Sequence, residues 1–229
     1  FVLDMHNEYG FDDVASDTKK AVTGLKTKFK SKVRIVGLGG GSTIRGQVPD
    51  FNLEISTGDI STSDIETLMQ ELNLRETTPT TLNAWYGSFG KDWFTRFKAM
   101  NRLEVTVEDD KGKAKKVPHP ESVAAWANEN GVNVLAAEAP FEKPAADSGR
   151  EIIQSLENGQ HVVLSFGNHD QDLDYLLVSN LLTRKIRKAW EHKTNAFRTH
   201  GKEEPRQLII VVEEAHKLLN REMAAQTTF

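Results

Sequence analysis

The sequence contains no cysteine, which excludes disulfides and thiolate-held metals and makes a reducing, cytoplasmic setting the simplest expectation. No apolar run approaches the roughly 20 residues that a bilayer span requires, and no basic-then-apolar segment opens the chain. No membrane partner is expected. His-Glu-x-x-His is also absent, so neither Glu214-Ala215-His216 nor His200 gains support as a zinc site from ligand spacing. The glycines of Gly39-Gly40-Gly41-Ser42 are followed by no lysine. A phosphate loop of the type Gly-x-x-x-x-Gly-Lys-[Ser/Thr] needs that lysine to neutralise phosphate charge and the hydroxyl to bind Mg²⁺. This stretch is therefore read as a flexible turn. The charge balance is mild as well, at −4, so any nucleic-acid contact has to come from local basic patches.

What the chain does have is enough apolar residue, 38% of 229, for one substantial core or one core with a small insertion. Its most informative stretch is Leu208-Ile209-Ile210-Val211-Val212-Glu213-Glu214-Ala215-His216. Five β-favouring apolar residues followed by two carboxylates predict a strand buried on both faces that delivers acid to the tip of a parallel sheet. Ligands of open α/β sheets bind beyond the carboxyl ends of the strands, which suits metal and water chemistry at Glu213 and Glu214. The plainer alternative is a strand ending in two solvated glutamates, one of them placed at a helix N-terminus.

Phe1-Val2-Leu3-Asp4 is a second apolar run ending in acid, followed by the polar loop Met5-His6-Asn7-Glu8-Tyr9-Gly10. From about Asp12 to Ser31, Val22, Leu25 and Phe29 fall at helical spacing among Lys19, Lys20, Lys26, Lys28 and Lys30. These lysines are read as a solvated face, with phosphate contact as the alternative. Strands are expected at Lys32 to Leu38 and Phe51 to Ile55. Ser63 and Glu66 suggest a capping box before the stripe Ile65, Leu68, Met69 and Leu72.

Residues 75 to 148 change character and are expected to form an α+β insertion. They hold scattered aromatics (Trp85, Tyr86, Phe89, Trp93, Phe94, Phe97, Trp126), read as a local core because they fall at helical spacings. A hairpin is expected from Leu103 to Val107 and back through Lys115 to Val117, and a short helix after His119-Pro120-Glu121. Alternation then resumes with a helix from Ser148 to Leu156 closed by Asn158-Gly159, and a buried strand from His161 to Phe166. A long helix from about Gln171 to Lys193 follows, leading into the acidic strand. This βαβ pattern predicts a parallel sheet.

Taken together, Asp4-Met5-His6-Asn7-Glu8-Tyr9 and Glu213-Glu214-Ala215-His216 resemble the two boxes of the HerA/FtsK group of motor ATPases, in particular the helicase HerA central domain. In the first box Asn7 stands where glycine is usual, a mild departure because asparagine tolerates left-handed backbone angles. The segment Phe166-Gly167-Asn168, with Asp170, Asp172 and Asp174 and the basic run Arg184-Lys185-x-Arg187-Lys188, is similar to the family's outline before its Walker B strand. The resemblance covers about the first 10 and last 80 residues.

The resemblance implies an α/β, RecA-like P-loop NTPase core built from residues 1–74 and 149–229, interrupted by the insertion. It implies ATP and Mg²⁺ as cofactors, Glu213 as the metal-holding acid and Glu214 as the catalytic base. His216 would couple the site to neighbouring segments, and Asp4, His6 and Glu8 would lie near the nucleotide. By the same likeness the partners are DNA, expected to be double-stranded, a homo-hexameric ring and a docking nuclease. A TraG-like conjugation motor and a non-hydrolysing scaffold are the alternatives. Phe1 falls inside an expected strand and Phe229 in or after an expected helix, so the chain is read as an incomplete piece of a longer motor.

Overall fold

A computed structural model describes residues 1–69, 72–74, 76–94, 105–108, 114–117, 148–169 and 171–216. Two compact units emerge, Phe1–Ile55 with Lys143–Phe229, and Ser56–Glu142. The boundaries lie at 55/56 and 142/143, where the sequence suggested 74/75 and 148/149. Residues 56–74, which the sequence reading counted with the core, group with the second unit instead.

The larger unit is built on a five-stranded sheet whose strands are β1 (Val2–Asp4), β4 (Val33–Leu38), β5 (Phe51–Leu53), β8 (His161–Ser165) and β9 (Val211–Val212), in the order β5-β4-β8-β1-β9. Every neighbouring pair is parallel. All strands therefore end at the same edge, and Asp4, Ser165 and the residues after Val212 meet there. The central strand β8 carries the run Val162-Val163-Leu164, completely buried, as expected for a strand covered on both faces. Successive side chains alternate between faces. Val163 packs with Val33, Ile35 and Ile44, joined by Val2, Phe11 and Leu25, and Val162 and Leu164 point the other way.

Two helices follow the sequence closely. Helix α4 (Ser148–Glu157) buries Ile152 and Leu156 and ends at Gly159, whose φ of 79° only glycine adopts without strain. Helix α5 (Asp172–His200) is longer than expected, at 29 residues or about 44 Å. Its first turn holds Asp172 and Asp174 and its last Arg198 and His200, each sign matched to the helix dipole, and Gly201 closes it in the left-handed region. The first half, from Asp174 to Thr183, is buried, and Tyr175 meets Phe166 edge to face at 5.0 Å.

Three local expectations are corrected. Residues 12–31 are not one helix. They form an antiparallel hairpin, β2 (Asp13–Val14) with β3 (Ala21–Val22), and a five-residue helix α1 (Leu25–Phe29). Gly24 is the cause: a Cβ there would lie 2.2 Å from the backbone carbon of Phe11, and its N–H is taken by the Asp12 carboxylate at 2.7 Å. The acidic strand is not buried on both faces. Among the described residues only Val211 and Val212 of this run are strand, β9 is the sheet's edge, and Ile209 and Val211 are 67% and 49% exposed. The strand expected to run to Ile55 stops at Leu53.

The smaller unit contains α2 (Thr62–Glu66), α3 (Thr78–Phe89) and the antiparallel hairpin β6 (Val105–Glu108) with β7 (Ala114–Val117), close to the hairpin read from sequence. The capping box exists but is shifted, pairing Ser61 with Asp64, whose carboxylate accepts the Ser61 N–H at 2.7 Å. Trp93 and Phe94 are buried, and the Trp93 indole donates to the Ile60 carbonyl at 2.9 Å, so these aromatics are core. Phe97, Trp126 and the helix expected after His119-Pro120-Glu121 lie outside the described residues.

Candidate functional site at the carboxyl edge of the sheet

Asp4 ends β1 and is fully buried. Its two oxygens accept the N–H groups of Glu8 at 2.8 Å and Tyr9 at 3.2 Å, and the Ser165 hydroxyl at 3.0 Å. Burial pushes its carboxyl above the ordinary range, against the pull of these donors and of the Gly10 N–H. Asp4 is thus the internal anchor that folds the following loop back over the strand end, with its carboxylate turned inward. Within that loop Asn7 has a φ of 59°, the left-handed value anticipated for the position where glycine is usual. Its side-chain amide donates to the Gly167 carbonyl at 3.0 Å and accepts the Gly167 N–H at 2.8 Å, joining the loop after β1 to the loop after β8.

The second box arrives at the same place. The Glu213 carboxylate accepts the His6 N–H at 3.0 Å, and its own N–H donates to the Leu3 carbonyl at 3.2 Å. Burial raises its carboxyl, the His6 N–H draws it down, and the negative charge of Asp4 pushes it up further. Glu214 sits between two imidazoles, with one oxygen 3.6 Å from His6 Nε2 and the other 3.2 Å from His216 Nδ1. Its φ is 50°, a backbone state that costs a non-glycine residue on the order of 1–3 kcal/mol. Glu8 is exposed on the loop beside them, and its charge contributes to raising Glu213.

The structure therefore gathers all six residues singled out from the sequence, Asp4, His6, Glu8, Glu213, Glu214 and His216, at one sheet edge. Asp4 is internal, Glu213 is half committed to the backbone, and Glu214, His6, His216 and Glu8 face outward. Among the described residues no three His, Asp or Glu side chains converge as ligands for a metal ion.

Two contributors, Tyr175 and Arg45, went unread, and the role of a third, Gly167, was not foreseen. The Tyr175 hydroxyl donates to the Glu213 carbonyl at 2.6 Å, and burial followed by the charges of Glu213 and Glu214 holds that hydroxyl protonated far beyond the usual tyrosine range. The visible signal was an aromatic interrupting a leucine-rich helix one turn after its acidic start. Gly167, read only within the outline Phe166-Gly167-Asn168, meets Asn7 through its own backbone. Arg45 donates to the His6 carbonyl at 3.3 Å and pairs with Asp13, and nothing local in the sequence marks it.

Chemically, the edge presents one carboxylate between two imidazoles, able to accept a proton and pass it on, beside a second carboxylate whose free oxygen can order water around a cation. No family model, curated protein or solved structure matches the chain. Among the described residues no helix is long and apolar enough to cross a membrane.

Proposed function

We propose that this chain supplies the acidic half of an ATP-hydrolysing site in a DNA-translocating motor of the HerA type. The observation that carries the reading is the meeting of the two boxes: the backbone of His6 is bound by Glu213, and its ring stands 3.6 Å from Glu214. Residues far apart in sequence are joined at the edge where open parallel sheets bind ligands. In this reading Glu214 orients and deprotonates the attacking water, with His6 and His216 holding its two oxygens. Glu213 is the metal-side acid. Its donor set suits Mg²⁺, which keeps most of its water and takes one or two carboxylates together with nucleotide phosphates. It does not suit an ion needing an all-protein cage.

The chain contains no Gly-Lys-[Ser/Thr], so the loop that cradles phosphate comes in this reading from outside these residues. A ring of copies, hexameric by resemblance, with DNA as substrate and a nuclease as partner completes the proposal. A TraG-like conjugation motor uses the same boxes and is told apart by its substrate. The inward commitment of Asp4 favours a second reading, a scaffold on a degenerate ATPase fold that does not hydrolyse.

Replacing Glu214 with Gln in the intact protein is expected to abolish ATP turnover while leaving ATP binding in place. Unchanged turnover overturns the base assignment, and absence of turnover in the unmodified protein favours the scaffold. The 229-residue chain alone is expected to show no ATP binding by calorimetry at millimolar nucleotide, and tight Mg²⁺-dependent binding would contradict the division of the site.

A further inference from the structure

From Lys19 to Lys32 the sequence places six lysines in fourteen residues with no carboxylate among them. Since the whole chain is −4 and this stretch +6, the rest carries −10. The structure folds the stretch into β3, α1 and a single 3₁₀ turn, Lys30–Lys32, with every residue except Gly24, Leu25 and Lys26 exposed. Lys26 alone is consumed by the fold, its ammonium bound to both oxygens of Asp50 at 2.7 Å and to the Val33 carbonyl at 2.9 Å. Lys19, Lys20, Lys28, Lys30 and Lys32 are all exposed, and none makes an ion pair among the described residues.

Two further observations separate this surface from an ordinary solvated face. Lys19 and Lys30 have φ values of 55° and 52°, and Lys30 combines this with a ψ of −122°, a region that suits glycine alone. Lysine stands at both turns against its backbone preference. The surface is also anchored. Leu25 and Lys26 donate their N–H groups to the carbonyls of Tyr9 at 2.9 Å and Gly10 at 3.0 Å, the two residues that close the acidic loop after Asp4.

We propose that Lys19, Lys20, Lys28, Lys30 and Lys32 form a sequence-independent contact with the phosphate backbone of nucleic acid, attached through Tyr9 and Gly10 to the loop that carries His6 and Glu8. The proposal rests on the DNA-motor reading and names the surface that holds the substrate. Five point charges with no arginine, asparagine or glutamine among them suit phosphates rather than base edges. Phe29, 45% exposed between Lys28 and Lys30, adds contact with sugar or base without selectivity. A lipid surface fits less well, because α1 is five residues long, with Phe29 as its one large exposed apolar side chain.

The test is fluorescence anisotropy of the 229-residue chain with a 20-base-pair duplex and the matching single strand, across a salt series and without nucleotide. The unmodified chain is expected to bind, with affinity falling steeply as salt rises. The variant with all five lysines changed to Gln, its fold checked by circular dichroism, is expected to bind at least about tenfold more weakly and to lose about 4 from the log–log salt slope, roughly one per phosphate contact. No binding by the unmodified chain, an unchanged slope in the variant, or binding confined to phosphatidylserine vesicles overturns the proposal. Because no ATP is present, its failure leaves the Glu214→Gln test standing, and failure of that test leaves this surface standing.

Discussion

The side-chain amide of Asn7 and the backbone of Gly167 exchange two hydrogen bonds, at 3.0 and 2.8 Å, so that one residue's side chain imitates a β-bridge between two loops. Residues 160 positions apart are clipped together immediately beside the acidic edge. Each bond contributes about 0.5–1.5 kcal/mol, and both depend on the left-handed backbone of Asn7.

Changing Asn7 to Ala removes both bonds and leaves a Cβ residue at a φ of 59°. The expected loss is about 2–3 kcal/mol in urea unfolding. Asn7→Gly, which keeps the backbone state, should lose less. Equal losses for the two variants would show that the backbone angle carries no part of the effect.

Glu213 sets a pH dependence whose sign is unusual for a carboxylate. Burial raises its folded-state pKa above the unfolded value, so the folded protein holds more protons than the unfolded one in the window just above the ordinary carboxylate range. Stability from this group falls as pH rises through that window. Glu213→Gln keeps an oxygen to accept the His6 N–H and removes the charge. The variant is expected to gain stability relative to the unmodified chain between pH 4 and pH 7, measured by urea midpoints at both. A relative loss over that interval contradicts the burial effect.

Tyr175→Phe leaves the ring against Phe166 and deletes the hydroxyl that donates to the Glu213 carbonyl. A cost of about 1–2 kcal/mol is expected. A second readout is ultraviolet titration at alkaline pH: one tyrosine of the folded unmodified chain should resist ionisation until unfolding, and that resistant component should vanish in the variant.

Gly24→Ala places a methyl group inside the Phe11 backbone. The two segments must separate, at a cost of about 1–3 kcal/mol or more. Hydrogen exchange should then rise at Leu25 and Lys26, whose donors bind Tyr9 and Gly10. Unchanged exchange at those two amides would mean that Phe11 yields without disturbing the anchor.

These residues also mark where the sequence was readable. The runs Val162-Val163-Leu164 and Val2-Leu3-Asp4, with the Leu-rich pattern of α5, were plain because a fully buried strand and a long amphipathic helix write their surroundings into consecutive residues. The convergence of both acidic boxes on one edge followed from parallel pairing alone. The edge position of β9 was hidden, since an apolar run does not say whether a neighbour lies alongside. The hairpin at 12–31 was hidden because Val22, Leu25 and Phe29 mimic a helical stripe, and the contact between Gly24 and Phe11 that breaks it is a matter of tertiary packing. Likewise an acid at a strand end reads the same whether it turns outward to a ligand or, as Asp4 does, inward to the N–H groups of Glu8 and Tyr9.

The position of β1 has a further consequence, for how the larger unit comes into being. Val2 pairs with Val163 on one side and Val211 on the other. Strand β1 therefore waits for partners synthesised much later than itself, and the loop closures that place it are long. Such non-local pairing slows folding and lengthens the time during which Leu3 and its neighbours stand uncovered. During synthesis the acidic edge cannot close until Glu213 has emerged to meet His6.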